Sequence, residues 1–336
     1  MPERVRITDV SPRDGLQNEP GVIPTTEKVR LVEALCATGV DEIEVTSFVS
    51  PRWVPQLGDG AEVLAALRGS KPPGMCFSAL VPNEKGLEAL LAVNDRAGFP
   101  LVDKASVFTA ASETFSRKNT NATIAETIER FEPVLRRASE AGLAVRLYVS
   151  CVVACPFEGP IEPRAVVGVS RRLLGLAESI VSRARADGRG TFAAVELDLG
   201  DTIGAATPGN LRPVVEGVQA EAVWGDFVSL PASLVLHLHD THGRASECVR
   251  AALAMGVRSF DGAAGGLGGC PYASAKQPDG SVRRAPGNIS TEALVRTVHE
   301  AGFVTGADEA ALARAGAIAR EITSRAGGGR AQGGLA

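Results

Sequence analysis

The feature that most constrains the fold of this chain is an eightfold alternation of short apolar runs with longer amphipathic ones. Candidate strands fall at 5–10, 41–48, 75–81, 103–110, 144–151, 193–200, 233–240 and 257–264. Helix-period segments lie between them at 25–38, 58–67, 83–93, 119–141, 163–187, 208–222 and 243–255, and two more follow at 290–301 and 307–325. Strands alternating with helices require a parallel sheet joined by crossover helices. Eight such units with no linker or compositional break predict an α/β fold, a closed (β/α)8 TIM barrel with an extra C-terminal helix. An open doubly wound sheet is the alternative. It is disfavoured because no strand runs into a dinucleotide-binding glycine pattern; "GAAGGLGG" at 262–269 has the wrong spacing and leads into Cys-Pro. A single barrel domain is expected over 1–325, and the Gly/Ala-rich segment 326–336 is expected to be a disordered tail.

Composition narrows the function. Of 336 residues, 45% are hydrophobic, enough for a large core, and the net charge is only −4. Acids and bases are mixed along the chain, so there is no basic face for nucleic acid and no polybasic segment for a membrane. No apolar run approaches the roughly 18 residues of a spanning helix. Aromatics make up 4%, too few for base-stacking platforms. Six cysteines, several within apolar segments, fit reduced thiols in a cytoplasm better than a disulfide framework.

In such a barrel, chemistry sits where the C-terminal strand ends meet their loops. Three of the four histidines, His237, His239 and His242, crowd into "HLHDTHG" at the end of the seventh strand. On a strand, residues i and i+2 point the same way, about 6.5–7 Å apart along the chain. His237 and His239 can therefore reach one ion, while Leu236 and Leu238 face the helices. The alternative is a pair of hydrogen-bonded core histidines. His242 lies beyond the strand end and need not join them. The eighth strand lies between the seventh and the first when the barrel closes, so Asp14 after the first and Asn288 after the eighth can reach the same ion. Asp14 is otherwise a turn former in "RDG", and Asn288 a cap before "ISTEALV". Two imidazoles, a carboxylate and an amide oxygen, with no thiolate, favour octahedral Mg²⁺ or Mn²⁺ over structural zinc.

Further polar groups continue this side of the mouth. Glu44 is on the second strand and Asp201 ends the sixth. A carboxylate beside the metal can act as a general base, or be a salt-bridged rim acid. Arg13 offers a permanent charge and a forked donor to an anion on the ion, or pairs with Glu19 or Asp14. Cys270, in "GLGGCPYA", lies in a loop whose glycines allow close backbone approach. It is either a mobile thiol or a small half-buried apolar residue.

Six segments in order, "SPRDGLQNE", "VTSFVSPRWVPQLGD", "YVSCVVACPFEG", "LGDTIGAATPG", "HLHDTHG" and "GLGGCPYA", resemble the 3-hydroxy-3-methylglutaryl-CoA lyase family over about residues 4–320. The resemblance implies a divalent cation held by Asp14, His237, His239 and Asn288, and functional roles for Arg13, Glu44, Asp201 and Cys270. It implies retro-Claisen cleavage of an acyl-CoA substrate to acetyl-CoA and acetoacetate, leucine breakdown and ketone-body formation as setting, and a homodimer. Related alternatives are cleavage of another 3-hydroxy-3-alkylglutaryl-CoA, or a 2-oxoacid/acetyl-CoA condensing synthase on the same scaffold. Two features depart from the family pattern. The segment 274–286 is longer than usual and carries Lys276, Arg283 and Arg284, and His242 replaces what is more often an aromatic hydroxyl. Both leave room for a substrate bulkier at the 3-position.

Overall fold

The computed structural model describes residues 2–221, 233–269, 275–276, 282–283 and 286–328. Eight parallel strands close into a barrel: β1 (Arg6–Asp9), β2 (Glu42–Ser47), β3 (Cys76–Leu80), β4 (Lys104–Ala110), β5 (Ala144–Ser150), β6 (Val195–Asp201), β7 (Leu234–Leu238) and β8 (Ser259–Gly262). Each strand pairs with its neighbours in sequence, and β8 closes onto β1 through Arg6↔Ser259 to Asp9↔Gly262. The expected (β/α)8 barrel is therefore present, with strand bounds within a few residues of those read from sequence.

The crossover helices are α1 (Thr25–Cys36), α2 (Gly60–Ala66), α3 (Glu84–Ala97), α4 (Glu113–Thr120), α5 (Ile124–Glu140), α6 (Pro163–Ala186), α7 (Pro208–Glu221), α8 (Ala245–Ala254) and α9 (Thr291–Glu300). The helix expected over 119–141 is α5, which starts only at Ile124, and a separate short helix, α4, precedes it. Asn121 adopts the left-handed conformation at φ 51° and ends α4. Thr123 and Glu126 then open α5 with a reciprocal capping box. The extra C-terminal helix, α10 (Glu309–Gly328), includes residues 326–328 of the expected tail, and 329–336 lie outside the described residues.

Strand alternation sorts the two barrel faces. On β6, Val195, Leu197 and Leu199 join the apolar layer beneath the helices. Glu196 and Asp198 point the other way, into the lumen. The same parity puts Glu42 and Glu44 of β2, Lys104 of β4, Arg146 and Tyr148 of β5 and Asp261 of β8 inside. Contacts across the barrel prove it: Arg146, on β5, donates to Thr8 of β1 at 3.0 Å and Asp261 of β8 at 3.0 Å. It also donates to Glu196 at 2.9 Å, and Lys104 bridges Glu42 and Glu196. Barrel lumens are usually packed with Val, Ile and Leu. Here the floor under the mouth is an ion-pair network. Burying these charges is expensive, and the cross-barrel hydrogen bonds offset the cost.

Candidate active site

The mouth is assembled from strand ends. After Leu238, the chain leaves β7 as His239, which bridges to Asn288. The His237 and His239 Nε2 atoms converge to 3.3 Å, so the two side chains do share a face. His237 Nδ1 lies 3.2 Å from Asp261 Oδ2, and Arg146 holds the other oxygen of Asp261. A carboxylate at Nδ1 fixes the ring so that Nε2 keeps its lone pair for a ligand. His242 is exposed and stands apart from the pair.

Asp14 comes from the other side of the closure. Directly after β1, Ser11–Gly15 forms a tight π-helical turn with Pro12 as its second residue, and Asp14 N donates to Val10 O at 2.8 Å. Arg13 Nη1 donates to Asp14 Oδ1 at 2.8 Å, and Asn288 Nδ2 donates to Asp14 Oδ2, also at 2.8 Å. Asp14 Oδ2 lies 3.9 Å from His237 Nε2. Ligand atoms of Asp14, His237 and His239 all fall within 4.8 Å of one another, which makes this a possible metal site.

The residues present fit a divalent cation on three observations. Two imidazole nitrogens bound to one ion at about 2.0–2.1 Å, near a right angle, lie about 3 Å apart, close to the Nε2 separation seen. Asn288 spends its amide NH2 on Asp14 and on Leu267 O, and its buried Oδ1 has no hydrogen-bond partner among the described residues. An orphaned buried carbonyl is costly unless something is meant to fill it. Gly268 supplies the third. At φ 93° it packs so closely that a Cβ there would sit 2.4 Å from Asn288 Nδ2 and 3.0 Å from Asp14 Oδ2. Electrostatics agree with the geometry at Asp14 and His239, whereas at His237 burial lowers the imidazole but Asp261 and Asp14 outweigh it and raise it. Burial raises the Asp14 carboxyl, but Arg13, His237 and His239 outweigh it and hold the group low. Burial, then the neighbouring His237, pushes His239 down to about 4, which leaves it neutral at physiological pH.

The remaining expected residues are distributed unevenly. Glu44 joins the cluster, with Arg13 Nε donating to its Oε2 at 2.5 Å. Asp201 is buried at the end of β6, and its two oxygens accept Ala205 N and Ala206 N at 2.9 Å each. Burial pushes its carboxyl up to about 6 despite those donors. It holds its own loop and makes no described side-chain contact with the other site residues. Cys270 lies outside the described residues, as does most of 274–286; within that segment, 275–276 and 282–283 pair as two short antiparallel strands.

Three participants were not anticipated: Tyr148, Asp261 and Arg146. The Tyr148 hydroxyl is 3.3 Å from Glu44 Oε2 and 3.4 Å from Asp261 Oδ2, and its ring lies 5.6 Å under the Arg13 guanidinium. It joins the Arg13–Glu44 side of the mouth to the Asp261–His237 side. Period-2 polar residues in "VRLYVS" and "SFDG" were the available signal.

A (β/α)8 barrel with a carboxylate and two imidazoles converging at its C-terminal mouth fits the class of metal-dependent barrel enzymes. Within it, the chain belongs to the HMGL-like family, whose model matches residues 4–318. It is 41% identical over 308 residues to the mitochondrial hydroxymethylglutaryl-CoA lyase of Gallus gallus, covering 92% of this chain and 90% of that one. It is 40% identical over 332 residues to a 3-hydroxy-3-isohexenylglutaryl-CoA/hydroxymethylglutaryl-CoA lyase of Pseudomonas aeruginosa, covering 98% and 97%. The crystal structure of the HMG-CoA lyase from Brucella melitensis superimposes with a TM-score of 0.80 at 42% identity, covering 96% and 99%. Among the described residues, no helix is long and apolar enough to cross a membrane.

Proposed function

We propose that the protein cleaves (3S)-3-hydroxy-3-methylglutaryl-CoA to acetyl-CoA and acetoacetate. The observation that carries this reading is the convergence of Asp14, His237 and His239 beside Asn288 Oδ1, which is unpartnered among the described residues, in a chain of the HMGL-like family. Asp14, His237, His239 and Asn288 would hold a Mg²⁺ or Mn²⁺, which would supply the Lewis acidity that acidifies the tertiary alcohol. Asp201, poised at about 6, accepts the alcohol proton. Carbon–carbon cleavage then yields the ketone of acetoacetate and the enolate of acetyl-CoA. Arg13, clamped between Glu44 and Asp14, presents a fixed positive charge to the enolate oxygen. Glu44 serves by holding that guanidinium. Cys270 donates the proton to the enolate carbon, and its thiolate is reprotonated from solvent water, to which Asp201 gives up the alcohol proton.

The Pseudomonas aeruginosa relative favours a second reading, a lyase that also takes a substrate bulkier at the 3-position. The expected homodimer, the cytoplasmic setting and a place in leucine breakdown and ketone-body formation belong to the same proposal. Purified protein with Mn²⁺ or Mg²⁺ should release acetyl-CoA from hydroxymethylglutaryl-CoA, and EDTA should stop it. The kcat/KM for the methyl and isohexenyl substrates decides between the two readings. Failure on both, with either metal, sinks the lyase proposal.

A further inference from the structure

Asp9 ends β1 and is fully buried. Among the described residues, no hydrogen bond or ion pair joins it to Asp14, His237, His239 or Asn288, yet its carboxylate is saturated. Oδ1 accepts from Ser11 N at 2.9 Å and from Ser11 Oγ at 2.5 Å. Oδ2 accepts from Ala264 N at 3.0 Å and from Thr291 Oγ1 at 2.6 Å. The four donors come from three segments. Ser11 opens the turn that carries Arg13 and Asp14. Ala264 opens the glycine-rich loop after β8, which continues to Leu267 and Gly268. Thr291 is the first residue of α9, just after Asn288.

These are the segments whose relative placement makes the oxygen half of the cation site. Asn288 reaches Asp14 through one hydrogen bond between residues 274 positions apart in sequence. Asn288 in turn leans on Leu267, both through its backbone N at 3.2 Å and its side-chain amide at 3.0 Å. Backbone bonds dock 289–291 onto Ala263 and the end of β1 onto Gly262. The Asp9 carboxylate is the side chain on which all three segments meet.

We infer that Asp9 is a positioning residue that sets the Asp14–Asn288 half of the divalent-cation site by fixing the turn after β1, the loop after β8 and the start of α9 on one carboxylate. An ionised carboxylate accepts on both oxygens and donates from neither. In Asp9→Asn, one end becomes an NH2 group facing a backbone N–H, that of Ser11 or of Ala264, which cannot turn round to accept. One tie is lost and a donor–donor clash replaces it. The inference rests on the cation reading of Asp14, His237 and His239, and the test separates the two.

The experiment is Mn²⁺ titration of the full chain, read from the electron paramagnetic resonance of free Mn²⁺, for the parent protein, Asp9→Asn, Thr291→Val, Ser11→Ala and His237→Ala. Outer partners of metal ligands typically contribute about 10–100-fold in affinity. Asp9→Asn should raise the Mn²⁺ Kd by about that factor, and Thr291→Val and Ser11→Ala, each of which deletes one donor and leaves the carboxylate, should raise it less. Saturating Mn²⁺ should restore most of the acyl-CoA cleavage in the single-donor variants, a rescue that general structural damage does not allow. If Asp9→Asn does not fold, the two single-donor variants decide. A Kd within twofold of the parent in Thr291→Val and Ser11→Ala, or in a folded Asp9→Asn, overturns the inference. Parent Mn²⁺ binding that His237→Ala leaves unchanged removes the cation reading itself, and the inference with it.

Discussion

A strand-borne His-x-His was legible because its meaning is local: period 2 puts His237 and His239 on one face wherever the strand sits. Asp14 needed one further assumption, that the barrel closes and brings the first and eighth strands together. Gly268 shows how much a single hydrogen atom matters at that closure. Its "GLGG" context signals close backbone approach, but what it approaches, Asp14 and Asn288, is visible only in three dimensions. Gly268→Ala is expected to abolish Mn²⁺-dependent cleavage, because the new methyl occupies the space of Asn288 Nδ2. Gly243→Ala is the control. It also has a positive φ, 69°, but a Cβ there meets nothing within 4 Å. It should lose only about 1 kcal/mol of stability from backbone strain. Equal activity loss in both variants would show that strain, and not contact with the ligand pair, is responsible.

At the scale of the element, eight strands and most helices could be read from hydrophobic period, while the start expected at 119 falls at Ile124 because Asn121, whose left-handed conformation leaves no trace in periodicity, ends α4 first. The lumen network was harder to see. Glu42, Glu196, Lys104 and Arg146 each look like a polar residue in an apolar strand, and only the closed barrel pairs them. Glu196 makes the network measurable. Burial raises its carboxyl, but Lys104, then Arg146 and Arg6, outweigh burial and hold it down at about 2, against an ordinary 4.5. A depressed acid stabilises the fold above its unfolded value, and that contribution disappears as pH falls toward the folded one. Glu196→Gln should therefore be less stable than the parent by about 3–5 kcal/mol at neutral pH, because two buried cations lose a counter-ion. The gap should stay constant above about pH 5 and close between 4.5 and 2, as measured by urea unfolding at each pH. A gap that widens on acidification would contradict the sign of the shift.

At the scale of the whole molecule, the proposed cation site falls on the barrel closure. His237 lies on β7 and His239 just after it, Asn288 follows β8, and Asp14 follows β1, so the four proposed ligands straddle the β8–β1 seam where the sheet joins its own beginning. An ion there links the last strands of the chain to the first. A ligand that binds only the folded state stabilises it by RT ln(1 + [L]/Kd), about 2.7 kcal/mol at 100 times Kd. For a domain of this length, the unfolding entropy converts that into a rise of roughly 4 °C in Tm. Differential scanning calorimetry with Mn²⁺ at 100 times Kd should show a rise of that size, reversed by EDTA and absent in His237→Ala. The unfolding transition should also remain single, because a seam ligand stabilises both ends of the chain together. A rise that persists in His237→Ala would place the bound ion elsewhere. A second transition appearing with Mn²⁺ would mean that the ion holds one part of the barrel and not its closure.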